Sequence, residues 1–236
     1  GPASISDRSE EAMRRKEDLP VGGGLLWGAE PPPRVLVRTG DGLRTWVDLR
    51  AGQKTGAYLD QAVNHLRVAE HARGAEVLDA FCYTGGFAVA AARAGAARVT
   101  AVDSSAEALA TVPANLEANA LAVPLECVQE NVFQLLRGYR DAGRTFDLIV
   151  LDPPKFAYSL SQVEGALRGY KDVNLGAIRL LRPGGVLATF SCSGAVSAEQ
   201  FQRAVAFAAL DAGRDVQVLH RLGQAPDHPV HLSFPE

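Results

Sequence analysis

At 236 residues, 47% hydrophobic and 22% charged, the chain has an ordinary globular composition and the length for one large domain with a small appendage. Its formal net charge of −3 excludes a chain that coats nucleic acid by charge alone. No apolar run is long enough for a membrane span, so no membrane partner is expected. Three widely spaced cysteines, Cys82, Cys127 and Cys192, form no CxxC pair. That excludes a disulfide framework and a structural zinc site, and it suits a reducing, cytoplasmic setting.

The chain opens on Gly1-Pro2 without an initiator Met, and the expectation is a fragment whose start lies upstream. A charged stretch, EEAMRRKED, leads into the breaker-rich VGGGLLWGAEPPP. VLVRT and LRTWVDL then flank Gly40-Asp41-Gly42, which reads as a β-hairpin. Residues 1–50 hold too little apolar material for their own core and read as part of a small β-rich domain. Residues 51–236 read as a second domain in which strands and helices alternate. The predicted strands are 76–80, 98–103, 125–130, 147–152, 185–191, 215–222 and 230–234. Helical runs lie between the first six, and one of them has Ser104 and Glu107 at capping-box spacing. Short apolar strands alternating with helices predict a doubly wound α/β, Rossmann-like parallel sheet. Only GQAPDHP separates the last two strands, which predicts an antiparallel β-hairpin at the sheet edge.

In such sheets ligands bind beyond the carboxyl ends of the strands. The first strand runs through Asp79 into Phe81-Cys82-Tyr83-Thr84-Gly85-Gly86, a tight glycine-bearing turn without GxGxxG. A dinucleotide pyrophosphate has no cradle there. The second strand ends in Asp103, followed by Ser104, where a carboxylate can accept from both ribose hydroxyls. The third leads to Asn131-Val132, where a side-chain amide can read an adenine edge. A ribose-binding acid without a phosphate loop predicts S-adenosylmethionine (SAM) as cofactor and S-adenosylhomocysteine (SAH) as product.

The fourth strand runs into Asp152-Pro153-Pro154-Lys155-Phe156, whose prolines fix the backbone. Asp152 and the Pro153 carbonyl can grip the edge of a flat heterocycle, although this segment alone does not define the target atom. Lys155 is either a contact to a phosphate or base carbonyl, or a solvated surface lysine. Cys192 follows the fifth strand between Ser191 and Ser193. A thiolate there can add to C6 of a pyrimidine and activate C5 toward a methyl group. Cys127, mid-strand, reads as a core hydrophobe, and Cys82 as lining the cofactor pocket. His228 and His231 read as structural or surface residues.

The blocks KTGAYLDQ (54–61), VLDAFCYTGGFAV (77–89), AVDSS (101–105), NVFQLL (131–136), VLDPPKFAYSLSQ (150–162), GYKDVNLGAIRLLRPGG (169–185) and FSCSG (190–194) occur in order. Together they resemble the bacterial 23S rRNA large-subunit 5-methylcytosine methyltransferase family, over nearly the whole chain. The resemblance implies Cys192 as nucleophile, Asp152 as the acid engaging the base, and Tyr58, Gln61, Phe81, Asp103, Ser104 and Asn131 at SAM-lining positions. It implies 23S ribosomal RNA as partner, an RNA-binding PUA domain preceding the part seen here, and leaves a homodimer as the assembly considered. Many wider RNA 5-methylcytosine enzymes carry a second cysteine in the fourth-strand segment. Here that segment is DPPKF, so the base that removes the C5 proton is unassigned. Guanine-N7, amino or 5-methyluridine methylation, a small-molecule methyltransferase and a non-catalytic SAM- or RNA-binding module are the competing readings.

Overall fold

A computed structural model describes residues 1–9, 11–20, 22–50, 52 and 56–233. Lys54 and Thr55 of the KTGAYLDQ block and Phe234 of the last predicted strand lie outside the described residues. The chain divides into two compact units, Gly1–Val37 with Trp46–Tyr58, and Arg38–Thr45 with Leu59–Glu236.

In the first unit, β1 (Ser4–Asp7) pairs antiparallel with β2 (Gly24–Gly28), Ile5 opposite Trp27. Neither strand is among those predicted: SISD is short and mostly polar, and glycines interrupt the apolar pattern of VGGGLLWG. Between them lies α1 (Glu11–Lys16), whose Arg14 binds the Asp7 carboxylate and donates from Nε to Pro20 O at 2.8 Å. The predicted hairpin is present as β3 (Arg34–Arg38) and β4 (Arg44–Asp48). Its tip, Arg38–Thr45, belongs to the second unit. Leu43 at the tip is buried with Val89, Ala90 and Leu116.

The second unit is built on five parallel strands: β5 (Glu76–Ala80), β6 (Arg98–Asp103), β7 (Leu125–Gln129), β8 (Phe146–Leu151) and β9 (Leu181–Thr189). Their order is β7-β6-β5-β8-β9. Helices α3 (Gly86–Arg93), α4 (Ala106–Ala118), α5 (Val132–Asp141) and α6 (Val163–Leu180) connect them, with α2 (Ala62–Ala69) before β5 and α7 (Ala198–Ala212) after β9. Side chains alternate between the two faces with period two. Val77, Val99, Ala101, Leu148 and Val150 meet α2–α4, whereas Leu78, Ala80, Val102, Ile149 and Leu151 meet α5 and α6. Burial on both faces explains why these strands read as nearly continuous apolar runs.

Three readings need correction. The antiparallel hairpin at the sheet edge is absent from the described residues. DVQVLHRL alternates like a strand, but no neighbouring backbone supplies a ladder, and Val216, Val218 and Leu219 are exposed. The segment is fixed instead at Ala225, which is buried and donates its N–H to Asp60 O at 2.8 Å. Cys127 is exposed, because β7 is an edge strand with one neighbour. The cap of α4 is Ser105, whose side chain accepts from Ala108 N, and the capping box belongs to Ser197 and Gln200 of α7.

The chain order reverses at β5: β6 and β7 extend to one side, β8 and β9 to the other. The crevice of a doubly wound sheet opens at this reversal, beyond the ends of β5 and β8.

Candidate active site

The turn after β5 is held in an uncommon backbone shape. Phe81 and Tyr83 have φ of 63° and 50°, conformations that cost about 1–3 kcal/mol each for residues with a side chain. Hydrogen bonds from three directions impose it. Cys82 N donates to Val102 O at 2.9 Å, Tyr83 N to Asp103 Oδ2 at 2.8 Å, and Asn115 Nδ2 to Thr84 O at 2.8 Å. Gly85 is left-handed at φ 82°, and a Cβ there would meet Val112 Cγ1 at 2.9 Å. A Cβ on Gly86 would come within 2.6 Å of the His65 ring. That ring is pinned, with Nδ1 2.7 Å from Asp41 Oδ2 and an edge-on contact to Phe87 at 4.5 Å. Burial pushes the Asp41 carboxyl up, but hydrogen bonds from His65, Thr39 and Leu43 outweigh it and bring its pKa down to about 2.

Asp79 sits beneath this turn, fully buried. Its Oδ2 accepts from Ala88 N at 2.8 Å, which ties the turn to α3. Its Oδ1 has no hydrogen-bond partner among the described residues. Burial, with the nearby Asp152 and Asp103 charges adding, pushes its pKa up to about 8. Cys82 is buried with its Sγ 3.6 Å from Tyr83 O, and burial drives its thiol far above the ordinary range.

At the end of β6, both Asp103 oxygens accept backbone N–H groups, from Tyr83 at 2.8 Å and Ser105 at 2.9 Å. The carboxylate is half-buried and fixed in direction. Ser104 beside it is exposed, and its carbonyl accepts from Gln129 Nε2. Asn131 caps α5, its Oδ1 accepting from Phe133 N at 3.0 Å and Gln134 N at 3.3 Å. The oxygen of that side chain is thus committed to the helix, and Val132 turns its side chain into the core.

On the other side of the reversal, the half-buried Asp152 accepts from Gln61 Nε2 at 3.0 Å, and Gln61 Oε1 accepts from Asn64 Nδ2 at 2.6 Å. Gln61, which the resemblance implies at a SAM-lining position, turns its amide toward Asp152. Cys192 is exposed, with Sγ 3.6 Å from Pro153 O, so the thiol and the Asp-Pro-Pro segment meet on one rim. Lys155 is exposed, its Nζ 5.6 Å from the Tyr158 ring centroid. A cavity of about 350 Å³ opens beside it, lined by Phe133, Phe156, Gly165 and Gly169. Tyr58 belongs to the first unit and is half-buried. His228 and His231 are exposed, paired with Asp227 and Ser233.

Sequence reasoning missed Asn64, His65 and Tyr170, and named the Ser191/Ser193 region only as a candidate aid to the Cys192 thiol. The polar Ser-Cys-Ser step after an apolar strand was the one available signal for Ser193. The buried Tyr170 and Ser193 are hydrogen-bonded to each other, and Ser193 Oγ accepts from Phe156 N and Ala157 N.

The residues fit an adenosine-bearing cofactor without phosphates. Asp103 is a fixed acceptor at the ribose position, and packing requires glycine in the turn beside it, since a Cβ on Gly85 or Gly86 would meet Val112 or His65. Among the described residues no group of three His, Cys, Asp or Glu could hold a metal ion.

Comparison with known proteins agrees with this geometry. Residues 25–231 match the family described as S-adenosylmethionine-dependent methyltransferase. The chain is 50% identical over 234 residues to Ribosomal RNA large subunit methyltransferase I of Klebsiella pneumoniae subsp. pneumoniae, covering 99% of this chain and 58% of the relative. It is 51% identical to the protein of that name from Shewanella amazonensis, covering 99% of this chain and 59% of the relative. The chain thus spans less than two thirds of the length of the curated relatives it matches. Among solved structures, SMU.776 complexed with SAH superposes with a TM-score of 0.76 at 26% identity, covering 95% of this chain and 61% of that one. With a matched region running from residue 25 to residue 231, this chain belongs to the S-adenosylmethionine-dependent methyltransferase family.

Proposed function

We propose that the protein methylates C5 of a cytosine in 23S ribosomal RNA through a covalent adduct between Cys192 and C6 of the base. One observation carries the reading: an exposed thiol at the end of β9 lies 3.6 Å from the Pro153 carbonyl, beside Asp152 at the end of β8. The relatives named as ribosomal RNA methyltransferases support RNA as the substrate class. The aromatic and basic rim of Phe133, Phe156, Tyr158 and Lys155 suits an unstacked, single-stranded segment.

Asp103, Ser104, Phe81, Tyr83, Gly85 and Asn131 would hold the cofactor, with Asp79 bracing the turn from inside. When bound, SAM supplies an electrophilic methyl group to C5 and leaves as SAH. Asp152, aimed by Gln61, accepts a hydrogen bond from the exocyclic amine of the base and fixes the ring. The target nucleotide must be out of any helix for this grip. The Cys192 thiolate gives its electron pair to C6, forming the S–C6 bond, and the C5=C6 π pair makes C5 nucleophilic. After C5 is methylated its proton is lost to a base, the π bond re-forms and the S–C6 bond breaks, returning the thiolate. Lys155 is assigned to a neighbouring phosphate.

The test uses unmodified 23S rRNA with tritium at C5 of cytidine. Wild-type protein with SAM should release tritium, and Cys192→Ala should abolish release while SAM binding persists. Methyl transfer without tritium release would exclude C5 as the target.

A further inference from the structure

The geometry points to Tyr170 and Ser193 as positioning residues that lock the Cys192 loop onto the Asp152-Pro153-Pro154 segment; the inference rests on Cys192 being the nucleophile. Tyr170 lies on α6, wholly buried. Ser191 Oγ donates to its hydroxyl at 2.8 Å, and Ser193 Oγ lies 2.9 Å from the same oxygen. Ser193 Oγ also accepts from Phe156 N at 3.1 Å and Ala157 N at 3.2 Å. Those two amides fill its lone pairs, so the seryl proton goes to Tyr170. Ser193 N in turn donates to Ser191 Oγ at 3.3 Å.

The two neighbours of Cys192 therefore share one buried phenol, and one of them also holds the backbone that follows Lys155. The ends of β8 and β9 are tied through α6 into one body, and the thiol faces the Pro153 carbonyl as a result. Burial keeps the phenol above its ordinary pKa although both serines oppose this, so it stays a neutral hydroxyl. The aim of a nucleophile matters steeply: a displacement of about 1 Å from the attack geometry lowers rates on the order of 100-fold. Neither residue touches the reacting atoms; each acts through Cys192.

Tyr170→Phe removes the hydroxyl and keeps the ring, which packs at 4.7 Å from Phe156 and edge-on to Phe201 at 5.0 Å. Two readouts are taken on wild type, Tyr170→Phe and Ser193→Ala. One is steady-state methylation with tritium release. The other is iodoacetamide labelling without RNA or SAM, quantified by peptide mass for Cys192 and Cys127 separately. The expected result is a kcat lowered about 10–100-fold with KM for SAM unchanged. Labelling of Cys192 should be several-fold faster because the loop is released, with Cys127 as the unchanged reference. Ser193→Ala, which loses the bonds to Tyr170, Phe156 N and Ala157 N, should shift both in the same directions and tests the lock even where Tyr170→Phe fails to fold. Unchanged kcat and labelling in the variants would overturn it. A fall in both would also overturn it, since the hydroxyl would then be activating the thiol and not aiming it. Absence of tritium release in wild type refutes the C5 reading instead, and the labelling comparison still reports on the lock.

Discussion

Replacing Asp79 by asparagine should stabilise the protein above neutral pH. The folded carboxyl has its pKa at about 8, against 3.8 for the free side chain. Between those values the unfolded chain has released the proton and the native chain keeps it, so stability falls as pH rises. Below about pH 4 both states are protonated and nothing is lost. Above about pH 8 the loss is complete, and at about 1.4 kcal/mol per tenfold in proton affinity its ceiling is about 6 kcal/mol. The amide of the Asp79→Asn variant would keep an oxygen for Ala88 N, now at 2.8 Å from Asp79 Oδ2, and would carry no charge to bury near Asp103 and Asp152. Thermal unfolding followed by circular dichroism between pH 5 and 9 reads this directly. For a chain of this size, 1 kcal/mol corresponds to about 2–4 °C in Tm. Asp79→Asn should raise Tm by roughly 10–20 °C at pH 8.5 and flatten its decline from pH 5. A variant whose Tm falls with pH as steeply as wild type would refute the assignment of this penalty to Asp79.

Two further outcomes follow from local packing. Gly86→Ala forces a methyl group to 2.6 Å from a His65 ring that Asp41 holds, so it should cost about 1–3 kcal/mol in denaturant unfolding, and His65→Ala should relieve most of that penalty. Ser105→Ala removes the cap of α4 and should cost about 1 kcal/mol, whereas Ser104→Ala should be near neutral, measured by the same unfolding curves.

The sheet itself was legible because burial on both faces writes itself into composition. Residues 76–80 and 98–103 were predicted at the bounds the structure shows. Asp103 and Asp152 were legible for a related reason, since strand ends in this topology must present their next polar residue to the crevice. What period and propensity cannot encode is partner choice. DVQVLHRL has the alternation of a strand and no neighbour, and Cys127 has the sequence context of a core residue on an edge strand. The Gln61–Asp152 contact spans 91 positions and the Tyr170–Ser193 contact 23. Each depends on where helices settle over the sheet, a tertiary outcome that local pattern does not carry. The capping serine was misassigned by one residue because Ser104 and Ser105 are adjacent and either can precede the helix.

The reversal of strand order at β5 also has a consequence for the time course of folding. Val77 pairs with Val99 of β6, 22 positions on, and with Leu148 of β8, 71 positions on. Loop-closure entropy makes the second pairing costlier by roughly 1 kcal/mol. The half-sheet β5–β7 can therefore form around its local connections while β8 is still unattached. The rim that carries Asp152 and Cys192 exists only once β8 and β9 have joined. A chain stalled before β8 and β9 join would therefore have the glycine turn but not the rim.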